Sequence, residues 1–475
     1  MHASPRDFKA NAGIALGDAQ LQRALAGLPT GLVAQRAAAR ARLPEFEALR
    51  DVCRDIRDHA LAHLDLYLEH YERTATAAGA IVHWAPTAAD ARKIILEICR
   101  TAGAKLITKG KSMVSEEIGL NDHLAAAGID VAETDLGEYL VQIRGEAPSH
   151  IIAPAIHLTQ DQVEVDFRRE HRGLAADRVL VEPEQLVGEA RQVLRGKFIA
   201  ADVGITGANF LVAETGSSIV VTNEGNGDLT QSLAKVHIVL ASIDKVVPTL
   251  EDVTAILRLL ARSATGQEFS TYTTLSTGPR RPGDADGPLA YHVVLLDNGR
   301  SELLDTPLRE VLRCIRCGAC MNHCPVYKAI GGHAYGSVYG GPIGAVLTPA
   351  LIGVGAAAHL PNASTFCGRC EQVCPMKIPL PKLMRHHRET EFAQGGPSRS
   401  YRFGLKLWAW LACRPRLYHV AVRFPVFALG VWGRNRGAFR SLPFAGSWTR
   451  HRDFPAPRGR TFQQAWAEHQ AGLPR

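Results

Sequence analysis

Seven of the ten cysteines lie between residues 314 and 374, at spacings typical of metal-cluster ligands. Two-residue spacers allow one tight loop to direct three thiolates toward the same cluster, while a cysteine followed by proline leaves in another direction. Ferredoxin-type iron-sulfur proteins use this spacing, and the last cysteine of each run binds the other cluster. The two runs are Cys314-x2-Cys317-x2-Cys320-x3-Cys324-Pro325 and Cys367-x2-Cys370-x3-Cys374-Pro375.

This crossover predicts two sets of ligands. Cluster 2 is one cysteine short, because ferredoxin spacing places its fourth ligand at Ser364, and a serine alkoxide is a poor ligand. Three alternatives stay open: a [3Fe-4S] cluster, a [4Fe-4S] cluster with an open or non-cysteine position, and a [4Fe-4S] cluster completed by a residue elsewhere. The predicted ligands are Cys314, Cys317, Cys320 and Cys374 for cluster 1, and Cys324, Cys367 and Cys370 for cluster 2.

Zinc is the main alternative metal, because it also binds paired Cys-x2-Cys motifs. A four-cysteine zinc site explains neither the triple run nor the two Cys-Pro ends, so the pattern favours iron-sulfur clusters. The remaining cysteines, Cys53, Cys99 and Cys413, lie far apart in the chain. This distribution argues against a disulfide framework and favours a reducing, cytoplasmic location.

The length and the charge pattern indicate several segments. At 475 residues the chain has room for roughly two to four domains. Its first 30 residues lack the apolar core of a signal peptide. The longest apolar stretch, 417–432, contains His419, Arg423 and Pro425, so we expect no membrane span.

The segment 401–475 differs from the rest of the chain. It contains 13 Lys or Arg against two acidic residues, a net charge of +11, and five of the six tryptophans. Such a segment suits an anionic membrane surface or a partner subunit. Nucleic acid is a poorer fit, because the basic residues alternate with apolar runs and no nucleic-acid motif accompanies them.

Periodicity predicts helices first and then an α/β domain. From Leu32 to about Thr76 the chain reads as helical, and the charged residues around Arg50, Arg54 and Arg57 are expected mostly on the solvent face. From Gly79, strand-like and helical segments alternate, which indicates a largely parallel sheet. A helix over 303–313 would deliver the first cysteine run. The expected strands include 80–84, 105–108, 129–133, 151–153, 197–203, 219–222, 236–241 and 291–296.

Several polar loops of this domain are candidate sites. The loop 109–112, Lys-Gly-Lys-Ser, could hold an anion, or Ser112 could simply cap the next helix. Two apolar runs, 210–213 and 218–222, flank residues 214–217 and predict a β-hairpin or a sharp strand-to-strand turn. Glu214 and Glu224 follow apolar runs, where α/β folds place ligand sites, and they are weak candidates for catalysis. Turn formation explains the same loops. His333, in a glycine-rich connector, is expected to make a structural hydrogen bond.

Together these motifs resemble the lactate utilisation protein B family, over nearly the whole chain. The resemblance implies a lactate-utilisation α/β domain related to the coenzyme A transferase and ribose-5-phosphate isomerase folds, plus a small α-helical ferredoxin-type domain. It also implies two [4Fe-4S] clusters on the seven cysteines. The motifs that carry it, besides the cysteine runs, are Asp55–His59, Val82–Ala85, Lys111–Glu117, Glu133–Glu138, His150–Ala155, Gly204–Asn209, Gly331–His333 and the segment 448–455.

These expectations combine into a functional hypothesis. The chain would be an iron-sulfur electron-transfer subunit for oxidation of L-lactate to pyruvate, with a cysteine-rich partner subunit and a second lactate-utilisation-domain protein. No flavin or nicotinamide fingerprint is visible. Two alternatives stay open: the α/β domain itself converts a 2-hydroxy acid, or the chain is a quinone-linked subunit peripheral to the inner membrane. The predicted segments are 1–70 (helical), 71–300 (α/β), 301–392 (ferredoxin-type) and 401–475 (basic, tryptophan-rich).

Overall fold

Six parallel strands form the central sheet. The computed structural model describes residues 7–443, 445–449 and 452–472, and the chain divides into two units, Met1–Glu391 and Phe392–Arg475. The strand order is β1-β10-β7-β4-β2-β3. The strands are β1 (Ile81–Ala85), β2 (Leu106–Lys109), β3 (Asp130–Glu133), β4 (Val203–Thr206), β7 (Val236–Ser242) and β10 (Ala290–Leu296).

Helices cover both faces of this sheet, so its inner strands are nearly continuous runs of buried aliphatic residues. In β7, Ile238 and Leu240 join one core, and Val239 and Ala241 join the core on the opposite face. The helices between the strands are α6 (Ala88–Thr101), α7 (Met113–Ile118), α8 (Leu120–Ala126), α9 (Leu136–Arg144), α10 (Gln160–Glu170), α11 (Pro183–Ala200), α12 (Asn226–Ser232) and α13 (Leu250–Ala264).

A second, four-stranded sheet has the order β8-β5-β6-β9. The hairpin β5-β6 was predicted from its two apolar runs, and the structure confirms it. Gly216 turns the hairpin with a positive φ of 69° and lies against the backbone of Ala75, where any Cβ would clash. The strands are β5 (Phe210–Val212), β6 (Ser217–Thr222), β8 (Val246–Val247) and β9 (Tyr272–Ser276).

Two expected strands were wrong. Residues 151–153 form a turn in which the backbone N–H groups of Ile152 and Ala153 donate to Nδ1 of His150, both at 3.1 Å. A side chain therefore satisfies donors that a sheet would otherwise use. Residues 197–200 are the last turn of α11, which starts at Pro183 with a capping box from Glu182, and β4 begins only at Val203.

Of the helices that precede the central sheet, those over 8–17, 19–26 and 46–62 share one core with the cysteine-rich region. The helix over 64–77 packs instead in a core on one face of the sheet. The helices that precede the sheet are α1 (Phe8–Gly17), α2 (Ala19–Ala26), α3 (Ala34–Ala41), α4 (Phe46–Ala62) and α5 (Leu64–Ala77), with a π-helical turn at Pro29–Val33. The cysteine-rich region contributes α14 (Ala319–Asn322), α15 (Pro325–Ile330), α16 (Gly341–Ile352), α17 (Val354–Ala357), α18 (His359–Asn362), α19 (Arg369–Val373) and α20 (Leu380–Ala393).

The helix expected over 303–313 is absent. Two 3₁₀ turns, Ser301–Leu303 and Arg309–Arg313, take its place. Pro307 lies between them, and proline disfavours a helical conformation in the preceding residue while lacking an N–H donor of its own. A short, angular connection therefore leads from the α/β domain to Cys314.

The second unit is mostly helical. None of the helices described for the chain is long and apolar enough to cross a membrane. The elements of this unit are α21 (Arg399–Ala412), α22 (Pro415–Gly433), β11 (Ala438–Phe439), α23 (Gly446–Thr449), β12 (Phe454–Pro455) and α24 (Phe462–Ala471), and β11 pairs with β12 in antiparallel fashion.

Candidate metal centre

The two cysteine loops repeat one backbone conformation. Arg316 and Phe366 adopt left-handed φ values of 59° and 53°, and the glycines two residues later, Gly318 and Gly368, have φ values of 70° and 77°. A left-handed conformation is unfavourable for residues with a side chain. Its recurrence at the same position in both loops indicates a shared task, which is to turn the chain around one point.

In the first predicted set, three thiols have pKa values that are raised by burial and by neighbouring cysteines. Burial raises the pKa of Cys317 to about 12 and that of Cys374 to about 11. Each is also raised by neighbouring thiolates: Cys317 by Cys374 and Cys314, and Cys374 by Cys314. The pKa of Cys320 is raised by burial and then by those same three thiols. Cys317, Cys320 and Cys374 thus lie close enough to Cys314 for their charges to interact.

The second set forms a neighbouring group. Burial raises the pKa of Cys370 to about 12, and Cys324 and Cys367 raise it further. Burial raises the pKa of Cys324, and the charge of Cys367 raises it further. The charge of Cys370 also raises the pKa of Cys320, so the two sets are adjacent. Cys367 is exposed, whereas every thiol of the first set is buried or half-buried.

Buried arginines surround the first set. Arg57 is 1% exposed and Arg50 is 7% exposed, so the expectation that they lie on the solvent face was wrong. Arg50 donates twice to the carbonyl of Cys374, at 3.1 and 2.6 Å. Arg57 donates to the carbonyl of Leu312 at 3.0 Å. Arg36 donates to the carbonyl of Val373 at 2.8 Å.

Arg316 completes this arginine shell from within the first loop. Its guanidinium stacks over the ring of Tyr339, 4.9 Å from the centroid, and it lies close enough to Cys314 for their charges to interact. Its buried Nε and Nη1 have no hydrogen-bond partner among the described residues. A buried cation requires a counter-charge; Asp244 supplies part of it, and a cluster bound by thiolates, which is an anion, would supply more. The residues therefore fit an iron-sulfur cluster.

Comparison with known proteins agrees with this chemistry. Residues 68–296 match the LUD domain family, residues 310–378 the 4Fe-4S dicluster domain family, and residues 385–471 the C-terminal domain of lactate utilisation protein B. A lactate utilization protein B from Geobacillus sp. strain WCH70 is 41% identical over 95% of both chains. The chain belongs to the lactate utilisation protein B family. The predicted resemblance is confirmed.

Other relatives agree. A protein named uncharacterized electron transport protein YkgF, from Escherichia coli K12, is 41% identical over 98% of both chains. A lactate utilization protein B from Bacillus licheniformis is 40% identical over the same share. The crystal structure of a DUF162 family protein from Deinococcus radiodurans matches 49% of this chain and 98% of its own, at 15% identity and a TM-score of 0.28. The predicted fold class, a parallel α/β domain with a ferredoxin-type dicluster domain, is confirmed.

A buried ionic cluster lies at the carboxyl ends of β2 and β3. Lys109 and Glu133, the last residues of these strands, are register partners, and Lys109 Nζ lies 2.7 Å from Glu133 Oε1 and 3.3 Å from Glu116 Oε1. Burial alone would lower the pKa of Lys109, but the carboxylates raise it above its usual value. Burial raises the pKa of Glu138 beside them.

This arrangement decides between the two interpretations of the loop 109–112. Ser112 caps α7 by accepting from the N–H of Ser115 at 3.2 Å. Lys111 donates to the carbonyl of Ile152 at 2.8 Å, and Lys109 is fully buried among carboxylates. Both lysines are therefore engaged within the protein, and the helix-cap interpretation describes the loop.

The two weak catalytic candidates lie at the surface. Glu214 accepts a hydrogen bond from the N–H of Leu250 at 3.0 Å, at the start of α13. Glu224 accepts from the N–H of Asn223 at 3.1 Å. Both are exposed. His333 lies 2.6 Å from the carbonyl of Ala147 through Nε2, which is the structural hydrogen bond expected for it.

Sequence reasoning missed the arginine shell. Arg50, Cys53, Arg57 and Ala60 are spaced at three, four and three residues on α4 and are all buried. That spacing marks one helix face, and it was the available signal.

Proposed function

We propose that the chain is an iron-sulfur electron-transfer subunit of a lactate-utilisation system. Cys314, Cys317, Cys320 and Cys374 would hold one [4Fe-4S] cluster. Cys324, Cys367 and Cys370 would hold the second. The observation that carries this proposal is the grouping of the thiols inside a shell of buried arginines. In this shell Arg36, Arg57 and Arg316 each have a buried guanidinium N–H group with no hydrogen-bond partner among the described residues.

The cysteine residues would bind as thiolates. Burial raises the pKa of Cys317, Cys370 and Cys374, so cluster binding has to release protons from these thiols. Bound clusters of this kind accept and donate single electrons. Arg36, Arg50 and Arg316 would then balance negative charge at cluster 1, while backbone N–H groups such as that of Arg316, 3.4 Å from Cys314 Sγ, would donate to the ligand sulfur.

We assign electron exchange with other proteins to the exposed ligand loop of cluster 2. Cys367 and its neighbours Thr365 and Phe366 are exposed, whereas cluster 1 would lie inside the arginine shell. Electron transfer requires close approach, so an exposed ligand loop suits a docking partner. In this proposal residues 301–392 form the cluster domain, 1–70 and 71–300 support it, and 401–475 forms a separate attachment segment.

The chemical step we assign to the whole system is oxidation of L-lactate to pyruvate. The chain would receive electrons within a complex with a cysteine-rich subunit and a second lactate-utilisation-domain protein. Support comes from family membership, together with an α/β domain in which the buried Lys109 is paired with Glu133 and Glu116. A chain of this kind passes electrons onward and leaves the attack on lactate to a partner.

Anaerobic electron paramagnetic resonance (EPR) tests this division of labour. The purified chain is mixed with L-lactate, alone and with the two partner proteins, and its reduced-cluster signal is measured. We expect lactate to reduce the clusters only when the partners are present. Reduction in the isolated chain would overturn the proposal and favour the alternative, in which Glu214 or Glu224 acts on a 2-hydroxy acid. Glu214→Gln and Glu224→Gln would then abolish that reduction while leaving dithionite reduction intact.

A further inference from the structure

Ser364 occupies in the second cysteine loop the position that Cys314 occupies in the first. The two residues are 50 positions apart, as are Cys317 and Cys367. The N–H of Arg316 donates to Cys314 Sγ at 3.4 Å, and the N–H of Phe366 donates to Ser364 Oγ at 3.2 Å. The backbone repeat described above thus extends to the first side chain of each loop.

Serine at this position does not replace the thiolate. Metal clusters are bound by thiolates, and a thiol ionises far more readily than a hydroxyl. The serine side chain is also shorter than that of cysteine, so its oxygen falls short of the point that the cysteine sulfur reaches on the same backbone. The loop therefore presents a ligand position with the correct backbone and an unsuitable ligand atom.

The described residues around Ser364 and the cysteines of the second set include no histidine or carboxylate. A shallow hollow lies between the three cysteines of the second set. Its opening includes Thr365 and Phe366, which are exposed. The hollow is lined by Cys324, Pro325, Pro342, Ser364, Thr365, Phe366, Cys367, Gly368, Arg369, Cys370 and Pro381.

We propose that the iron of cluster 2 nearest Ser364 has no side-chain ligand and instead takes an exchangeable oxygen donor from solvent. Water or hydroxide fills the position by default, and the cationic Arg369 in the lining of the hollow favours a small anion such as a carboxylate. This inference rests on the two-cluster assignment above and narrows its second cluster to a [4Fe-4S] form with one exchangeable site.

Controlled oxidation of the full-length protein tests the inference. Ferricyanide removes one electron from a [4Fe-4S]²⁺ cluster, and an iron without a protein ligand then leaves as Fe²⁺, so that [3Fe-4S]⁺ remains. We expect wild-type protein to give about one [3Fe-4S]⁺ EPR signal per chain and to release about one Fe²⁺, since one of the two clusters has such an iron. Ser364→Cys supplies the missing thiolate and should reduce both by at least fivefold.

Two further variants separate the explanations. Ser364→Ala should behave as wild type, because the hydroxyl is not a ligand. Ser400→Cys, an exposed serine in the second unit, controls for the addition of a thiol. A wild-type protein without the three-iron signal, an unchanged yield in Ser364→Cys, or a marked change in Ser364→Ala would each overturn the inference.

A measurement on wild-type protein decides the matter if Ser364→Cys fails to fold. Reduced protein is exchanged into ¹⁷O-enriched water, and electron-nuclear double resonance is recorded on the cluster signal. We expect ¹⁷O coupling, and its absence would contradict the exchangeable site. If the wild-type chain binds no iron-sulfur cluster at all, the proposed function itself fails, which is distinguishable from loss of the exchangeable site alone.

Discussion

At the scale of single residues, the proposed site of cluster 1 is distinguished by the positive charge of the arginines around it. Arg316 comes from the cysteine loop itself, while Arg36 and Arg50 come from the N-terminal helices and bind the carbonyls of Val373 and Cys374. A buried cation near a redox centre stabilises its more negative, reduced state. The arginine shell should therefore raise the reduction potential of cluster 1.

Arg316→Gln tests this role of charge. A unit charge about 7 Å away in an effective dielectric of about 20 contributes roughly 2 kcal/mol, or about 90 mV for one electron. We expect the variant to lower the potential of one cluster by roughly 30–90 mV, measured by an EPR-monitored redox titration. Arg385→Gln, on an exposed arginine of α20, is the control. Equal potentials in wild type and Arg316→Gln would contradict the assigned role.

The proposed ligand residues can be read from the sequence, whereas the arginines around them cannot. Cluster chemistry fixes the spacing of Cys314, Cys317 and Cys320 within one loop, so the motif can be read directly. Arg36 and Arg57 come from helices more than 250 residues earlier in the chain, and only the tertiary fold brings them to the site. Their burial was hidden because arginine is usually a solvent-facing residue.

At the scale of elements, the glycine-rich connector holds the cluster region against the α/β domain. The N–H of Gly332 donates to Ser149 Oγ at 3.2 Å, and the hydroxyl of Tyr327 donates to the Ser149 carbonyl at 2.8 Å. A Cβ on Gly332 would collide with the backbone of Ser149. The glycine is therefore required by a close approach of two chain segments.

Gly332→Ala should separate these segments. We expect a loss of about 1–3 kcal/mol in the free energy of unfolding, the usual range for overpacking, with a lower cluster content in the purified protein. Chemical denaturation and iron analysis measure the two effects. Gly355→Ala is the matched control, because a Cβ there meets nothing within 4 Å. An unaltered unfolding curve for Gly332→Ala would contradict the close-approach role.

Elements with strong periodicity were predicted correctly, and locally determined turns were not. The hairpin β5-β6 and the strand β10 follow from uninterrupted apolar runs. The segment 151–153 is equally apolar, yet His150 satisfies its backbone donors in a turn. The segment 303–313 has helical periodicity, but Pro307 divides it into two 3₁₀ turns. In both segments a single residue, His150 or Pro307, determines the local conformation that the apolar pattern does not predict.

At the scale of the whole molecule, a buried network joins the α/β domain to the cluster loop. Arg300 lies 2.7 Å from Glu117 and 3.0 Å from Asp244. Tyr339, which stacks on Arg316, donates to Glu117 at 2.7 Å. Burial alone would raise the pKa of Glu117, but Arg300 and the hydrogen bonds lower it below its usual value. The carboxylate is therefore ionised and fully paired.

Glu117→Gln should weaken this connection. Removing one partner of a buried ion pair typically costs about 3–5 kcal/mol of the free energy of unfolding, because the other charge is left incompletely balanced. Arg300 still has Asp244 as a partner, so we expect a loss near the lower end of this range. Urea denaturation at neutral pH measures it. Glu389→Gln, in an exposed pair with Arg385, should change stability little. Equal losses in the two variants would show that the network adds no special stability.

The second unit presents apolar side chains to solvent on two helices. Phe403, Trp408 and Trp410 on α21, and Phe424 and Trp432 on α22, are 50–77% exposed. Combined with the net charge of the segment, this composition is typical of helices that lie in the interface of an anionic membrane. We therefore expect the full-length protein to bind vesicles rich in phosphatidylglycerol.

Vesicle sedimentation tests this expectation. Replacing Trp408 and Trp410 together by Ser should reduce binding at least tenfold, and high salt should weaken binding of the wild type. Trp84→Ser is the control, because Trp84 is an exposed tryptophan of the first unit. A full-length protein that never sediments with anionic vesicles would rule out the membrane interpretation and favour a partner subunit as the occupant of this surface.

The most direct test of the two-cluster proposal is analysis of the anaerobically purified, full-length protein for iron and acid-labile sulfide, combined with EPR after dithionite reduction. We predict about eight iron atoms and eight sulfides per chain, and two reduced centres whose signals broaden each other because Cys320 and Cys370 lie in adjacent ligand sets. Four or fewer iron atoms with a single, isolated signal, or bound zinc without sulfide, would contradict it.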